Sequence, residues 1–246
     1  MIIIFPMAGL SLRFQKAGYT EPKFKLSLAG QSVFSYAVRS FESYFHKDEF
    51  LFIYRTENGI ENFISKECKS MGIERPILAG LSGPTGGQAE TVFQGLEVAK
   101  IDEEKAITIF NIDTFRPHFR FPEDLNLNVI DGYLEVFRGS GPNWSYVRPF
   151  SRENRRVLET SEKVVISDLC CTGLYYFRKV DLFKTAFTQH VSNGYLGELY
   201  VAPLYNILIR SGSNIHYHEI KSDQVNFCGV PAEYEALKQK WKTQHG

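Results

Sequence analysis

Met1-Ile2-Ile3-Ile4-Phe5 runs directly into Pro6-Met7-Ala8-Gly9-Leu10-Ser11-Leu12-Arg13-Phe14, and the connection continues to Glu21-Pro22-Lys23. The opening run is too uniformly apolar to have a solvent face, so it reads as a buried strand of the kind found in parallel sheets. A loop of small residues follows it. Ala8, Gly9 and Ser11 leave backbone N–H groups uncovered, so phosphate oxygens can approach them closely. Arg13 and Lys23 add two cations to the same loop, one a planar fork and the other a point charge. In parallel α/β sheets, ligands sit beyond the carboxyl ends of the strands. Taken by itself, the stretch fits either a phosphate-binding loop or an ordinary strand-to-helix connection with two solvated charges.

Outward from this loop, the first half alternates short apolar runs with helical spacing. Val33, Phe34, Ala37, Val38, Phe41 and Phe45 recur on one helical face between Ser32 and Phe45. Phe50–Tyr54 reads as a second strand, followed by a helix with Ile60, Phe63, Ile64 and Met71 inward. Pro76-Ile77-Leu78 starts a third strand, Glu90–Lys100 a helix, and Ala106–Ile112 a fourth strand. That order calls for an α/β fold with a mostly parallel sheet covered by helices on both faces. In the second half, Asn128–Phe137, Trp144–Arg148 and Thr172–Phe177 read as strands joined by turns, giving a mixed sheet. Helices are expected at Val180–His190 and Glu198–Arg210, a strand at Ile215–Ile220, and a terminal helix from Pro231 to about Thr243. Without a repeat or a linker, residues 1–246 read as one domain. Residues 1–125 are its first half and 126–246 its second.

Composition excludes several functions. Twenty-eight basic residues balance 28 acidic ones, a formal net charge of zero, so there is no basic field for nucleic acid or an anionic membrane. No apolar run reaches the length of a membrane span, and the opening run lacks the flanks of a signal peptide. The four cysteines form no C-x-x-C pair, which suits reduced thiols. The expected location is the cytoplasm. His216 and His218 alternate on one strand face with no third ligand nearby, so they read as half-exposed strand residues. Asn143-Trp144-Ser145-Tyr146 fits an acceptor platform or, more simply, buried strand aromatics.

Two further motifs carry chemistry. Gly83-Pro84-Thr85-Gly86-Gly87-Gln88-Ala89-Glu90-Thr91 is glycine-rich ahead of a helix, as a backbone passing close to a planar ligand must be. Phe110-Asn111-Ile112-Asp113-Thr114 ends a buried strand on a carboxylate that can hold Mg²⁺ (or Mn²⁺) against phosphates. Together with the first loop, these stretches resemble the sugar-nucleotidyltransferase family, whose opening signature is small-small-Gly-x-Gly-x-Arg with a downstream Pro-Lys. Ser11 stands where the family has its second glycine. The resemblance implies a GT-A-like (Rossmann-like) fold and transfer of a nucleotide from an NTP to a phosphorylated sugar or small phospho-alcohol or phospho-amine, releasing pyrophosphate. Supply of capsule or other cell-surface polysaccharide precursors would fit that chemistry.

The resemblance also assigns residues. Ala8, Gly9 and Ser11 wrap the triphosphate, and Arg13 and Lys23 stabilise charge on the departing pyrophosphate. Gly87, Gln88 and Glu90 receive the base, and Asp113 holds the metal. Glu162-Lys163, Gly173 within Thr172–Phe177, and Glu198 face the acceptor. Phe227-Cys228-Gly229-Val230-Pro231-Ala232-Glu233 resembles the closing G-T-P-E turn, and Asn226 is the nearest oxygen donor to the family's second metal aspartate. If Glu90 points at the base, its carboxylate accepts from N–H-rich edges and favours CTP or GTP, with CTP slightly preferred. If Gln88 reads the base, Glu90 caps the following helix. Two rivals remain: a glycosyltransferase of the same fold, which Asn111-Ile112-Asp113 fits poorly for want of a D-x-D, and a decayed nucleotide-sensing subunit. The oligomeric state is open.

Overall fold

The computed structural model describes residues 1–57, 59–151, 153–194 and 197–245. The first half runs through strand β1 (Ile2–Pro6), the short helix α1 (Leu12–Lys16), a small hairpin of β2 (Ser27–Leu28) and β3 (Gln31–Ser32), and α2 (Val33–Arg39). It continues with β4 (Glu49–Arg55), α3 (Ile60–Met71), β5 (Ile77–Leu81), α4 (Gln88–Val98) and β6 (Ile107–Phe110). β7 (Thr114–Phe115) ends the first half, and the second holds β8 (Gly132–Arg138), β9 (Ser145–Pro149), β10 (Val157–Glu162) and β11 (Leu169–Phe177). Then come α5 (Val180–Ser192), α6 (Tyr205–Arg210), β12 (Ile215–Ile220), β13 (Asn226–Phe227) and α7 (Pro231–His245).

Among the described residues, both halves feed one nine-stranded sheet. Its parallel part is β6-β1-β4-β5, with Ile4 registered between Leu51 and Ile109. β11 joins β6 antiparallel and carries the rest: β8 and β9 pair with it, β10 flanks β9, and β12 lies parallel to β8. Successive residues of a strand face opposite sides. Thus Ile2 and Ile4 enter one core with Leu51, Ile53, Val92 and Phe183, while Ile3 and Phe5 enter another with Phe34, Phe41, Phe52 and Ile64. Helices cover both cores, which is why the opening run has no polar alternation.

Several boundaries differ from the sequence expectation, each for a local reason. The fourth strand stops at Phe110 because the Asn111 N–H turns to the Gly173 carbonyl (3.1 Å) and the Thr114 N–H to the Asn111 carbonyl (3.3 Å). Asp113 therefore lies in a turn rather than at a strand end. The strand expected from Asn128 begins at Gly132, since Asn126 accepts backbone N–H bonds from Val129 and Ile130. The helix expected from Glu198 starts only with a tight turn at Ala202–Leu204, because Pro203 has no N–H and is tolerated only in a first turn. Residues 198–200 are thereby left outside helix and strand. β10 goes unread in the sequence: Val157-Leu158-Glu159-Thr160-Ser161-Glu162 is polar, and only Val157 and Thr160 are buried. No helix among the described residues is long and apolar enough to cross a membrane.

Candidate functional site

A cleft of about 640 Å³ opens beyond the carboxyl ends of the parallel strands, within the range of small-molecule sites. All the residues singled out from the sequence line it except Glu90 and Asn226. One end of it begins where β1 gives way to Ala8, Gly9 and Ser11. Ser11 adopts φ 53°, ψ 31°, a left-handed conformation in which a side chain is disfavoured, and this explains the glycine of the family pattern. Its hydroxyl meets the Lys23 N–H at 3.4 Å, drawing Lys23 back towards the loop. Arg13, on α1, stands exposed on the cleft wall and makes no ion pair with any described residue. The Lys23 ammonium donates to the Asp113 carboxylate, with the two side chains 25% and 13% exposed. The two residues are 90 positions apart, so the pair welds the first loop to the turn after β6.

The glycine-rich loop after β5 is fixed against residues 198–200. The Leu199 N–H donates to the Gly86 carbonyl (2.9 Å), and the Ala89 N–H to the Leu199 carbonyl (2.8 Å). A Cβ on Gly87 (φ 154°) would come within 2.5 Å of the Leu199 backbone, so only glycine fits there. Gln88 lines the cleft and donates to Asn111 Oδ1 at 2.6 Å. Glu90 does not line it: its carboxylate accepts from the Gly86 N–H and from Gln94 (3.0 Å). It braces the loop at the start of α4, so the ground for CTP that rested on Glu90 reaching the base is removed.

At the other end, Glu162 closes β10 and accepts from the Ser145 hydroxyl on β9. Burial raises its carboxyl above the ordinary value, against the opposing effects of the Ser145 hydrogen bond and Lys163. Lys163 donates to the Tyr200 hydroxyl, lies 4.4 Å above that ring, and is 3.9 Å from Glu198. Tyr200 in turn donates to Glu198. Gly173 sits at φ 95° in a register shift of β11, where a Cβ would collide with the Asn111 amide. Trp144 and Phe227, ring centroids 4.5 Å apart, form an aromatic wall between the two ends.

Asn226 is placed away from the cleft. It pairs with Phe115 through β13 and β7, and the neighbouring Phe227 takes the cleft-facing position instead. The carboxylate that the sequence reading misses is Glu233. It lines the cleft from the first turn of α7, accepting from the Gly229 (2.8 Å) and Val230 (3.2 Å) N–H groups. Burial raises its carboxyl, and the Asp113 charge acts in the same direction. The signal was the Glu of the closing turn, which reads equally as a helix-start residue. A Cβ on Gly229 would lie 3.3 Å from Asp113 Oδ2 and 3.6 Å from Glu233 Oε2, so this glycine keeps the space between the two carboxylates clear. Mg²⁺ asks for one or two carboxylates and completes its shell with phosphate and water, and this donor set fits it. His216 and His218 lie on β12, where burial lowers both imidazoles, and no group of three metal-ligating side chains occurs among the described residues.

The chain is similar to the nucleoside-diphosphate-sugar pyrophosphorylase from Vibrio cholerae RC9, with 47% identity over 97% of this chain and 100% of that one, at a TM-score of 0.92. The inositol-1-phosphate CTP transferase from T. maritima shares the fold at 16% identity, over 97% and 94% of the two chains, with a TM-score of 0.73. The UDP-glucose pyrophosphorylase from Acinetobacter baumannii does so at 15% identity, over 100% and 95%, with a TM-score of 0.71. No family model and no curated protein matches the chain.

Proposed function

We propose, for a chain that belongs to the nucleoside-diphosphate-sugar pyrophosphorylase family and is a nucleotidyltransferase, that it moves a nucleoside monophosphate from an NTP to a phosphorylated small molecule. The acceptor is a sugar phosphate or a small phospho-alcohol or phospho-amine. The product class is an activated building block that glycosyltransferases of cell-surface polysaccharide synthesis consume. The observation that carries this reading is that Arg13, the Lys23–Asp113 pair, Glu162 and the Lys163–Glu198 pair all line one cleft.

In the reaction, an oxygen of the acceptor phosphate attacks the α-phosphorus of the NTP in line. The bond to the bridging oxygen breaks, and pyrophosphate leaves with the electron pair. No side chain is needed as a covalent nucleophile; catalysis is positioning and charge neutralisation. Ala8, Gly9 and Ser11 present N–H groups to the triphosphate, and Arg13 and Lys23 offset the charge that grows on the leaving group. A divalent cation bound by Asp113 supplies further neutralisation of phosphate oxygens when present. Gln88 reads the base: it lines the cleft, beside Asn111, whereas Glu90 does not line it and its carboxylate is engaged by Gly86. Lys163 steers the acceptor phosphate, and Glu162 and Glu198 accept from acceptor hydroxyl or amine groups.

Pyrophosphate release by purified protein with Mg²⁺, the four NTPs and dTTP, with and without sugar 1-phosphates, phospho-alcohols and phospho-amines, tests the reading. Release that depends on both one NTP and one acceptor is expected. Release indifferent to any acceptor, or none with any pair, overturns it.

A further inference from the structure

Behind the Asp113 turn lies a charged pair that the proposed reaction does not use. Arg116 is 5% exposed and Glu135 1%. The guanidinium grips the carboxylate with both arms: Nε donates to Oε1 at 2.8 Å and Nη2 to Oε2 at 3.0 Å. Its remaining arm, Nη1, donates to the Gln224 carbonyl at 2.8 Å, and its plane lies over Phe119 at 5.7 Å. The Arg116 backbone N–H donates to Ser40 Oγ, and Glu135 Oε1 also accepts from Thr172 Oγ1 at 3.0 Å.

A buried pair of this kind gives no more stability than apolar residues of the same volume, so stability alone does not explain it. Its connections do. Arg116 follows β7, which starts one residue after Asp113. Gln224 precedes β13, whose continuation donates the Cys228 N–H to the Asp113 carbonyl at 2.8 Å and then supplies Gly229 and Glu233. Glu135 lies on β8 and holds Thr172, the neighbour of Gly173 on the acceptor strand β11, while the Thr172 carbonyl accepts from Thr114 Oγ1 at 3.2 Å. β7 and β13 form a two-stranded patch outside the main sheet, so their placement over it is not set by ladder bonds. Beside the direct Asn111–Gly173, Thr114–Thr172 and Cys228–Asp113 hydrogen bonds, the fork is a buried tie that links the Asp113 turn, the Gly229–Glu233 turn and the strand of Gly173 to one point.

We propose that Arg116 and Glu135 are positioning residues, which hold the Asp113 carboxylate in register with the acceptor strand and with the turn that carries Glu233. The proposal rests on Asp113 being the metal-holding carboxylate of the reaction. The test compares R116M/E135L, Arg116→Lys and Asp113→Asn. Steady-state pyrophosphate release gives kcat and KM. Mn²⁺ binding with a non-hydrolysable NTP analogue, followed by paramagnetic resonance, and hydrogen exchange of the Cys228 amide are read without turnover. The double variant leaves no unpaired charge and should melt near the parent. Its kcat and Mn²⁺ affinity should each fall about 10–100-fold, as when partners that orient a ligand are removed. The Cys228 amide should exchange faster and the KM for the NTP should hold. Arg116→Lys keeps the charge but loses the fork, so it should fall between the double variant and the parent; it decides the matter if the double variant does not fold. Parent-like kcat, Mn²⁺ affinity and Cys228 protection in a folded variant overturn the proposal while Asp113→Asn is impaired. Parent-like activity of Asp113→Asn overturns the site reading itself.

Discussion

At the nucleotide end of the cleft the chemistry falls to backbone N–H groups, two cations and one carboxylate. At the acceptor end it falls to two carboxylates, a lysine already engaged by Tyr200, and aromatic rings. The first set comes from the long connection after β1, which includes α1, and from the turn after β6. The second comes from β9, β10, β11 and residues 198–200, which the antiparallel part of the sheet and the Gly86–Ala89 loop bring together. On the proposed function the difference separates the tasks: one end is a cationic surround for a triphosphate, the other a mixed surface for the choice of acceptor.

The largest effect that can break this division is loss of a cation. Lys23→Ala and Arg13→Ala should each lower kcat by about 10²–10³-fold, the scale of losing one charge-stabilising donor in a transition state, with the acceptor KM little changed. A rise in acceptor KM at full kcat would place these side chains at the wrong end. Next comes Asp113→Asn. Loss of one charged oxygen ligand, worth roughly 1.5–3 kcal/mol, should raise the Mg²⁺ concentration for half-maximal rate by about tenfold or more. Full activity in EDTA would remove the metal from the scheme.

Glu162→Gln should act on the acceptor alone, raising its KM by about tenfold with the NTP KM unchanged. This residue also gives a pH signature. Burial raises its carboxyl, so the neutral form is the one folding favours; that share of stability is present at low pH and lost as pH rises through the raised value. Acceptor binding by the carboxylate runs the other way, appearing as pH rises through the same value, and the Gln variant should lack this acid limb. An identical pH profile in the variant counts against Glu162 as an acceptor ligand. The smallest effect sharpens the nucleotide end. Ser11→Gly should relieve left-handed strain and stabilise the fold by about 1 kcal/mol, read as a higher Tm at parental kcat. A fall in kcat would mean that the hydroxyl contributes to phosphate binding.

The same division decides what could be read from the sequence. Ala8–Arg13 and Asn111–Asp113 were legible because a turn after a buried parallel strand is a contiguous signal, with small residues and charges in a short window. The parallel half of the fold was legible for the same reason, since both faces of β1, β4 and β6 are covered and the apolar runs are unbroken. β10 was not, because a strand with few buried positions carries little hydrophobic pattern. Glu90 and Asn226 fall outside the cleft for a shared reason. Neighbours along a strand or helix point different ways, so the sequence left Gln88 and Glu90 as alternatives for the base and did not show that Phe227, one place from Asn226, lines the cleft. Glu233 shows the reverse, a capping residue whose location makes it part of the cleft.

The clasp between Gly87 and Leu199 bears on any attempt to redesign this protein. Here the two segments share backbone hydrogen bonds at a contact too close for any side chain on residue 87. A graft of residues 198–200 that shifts the backbone at Leu199 displaces Gly86–Ala89 with it. A transplant therefore has to carry both segments as one cassette, and under the proposed assignment a change of acceptor preference made in either of them brings a change in nucleotide preference along.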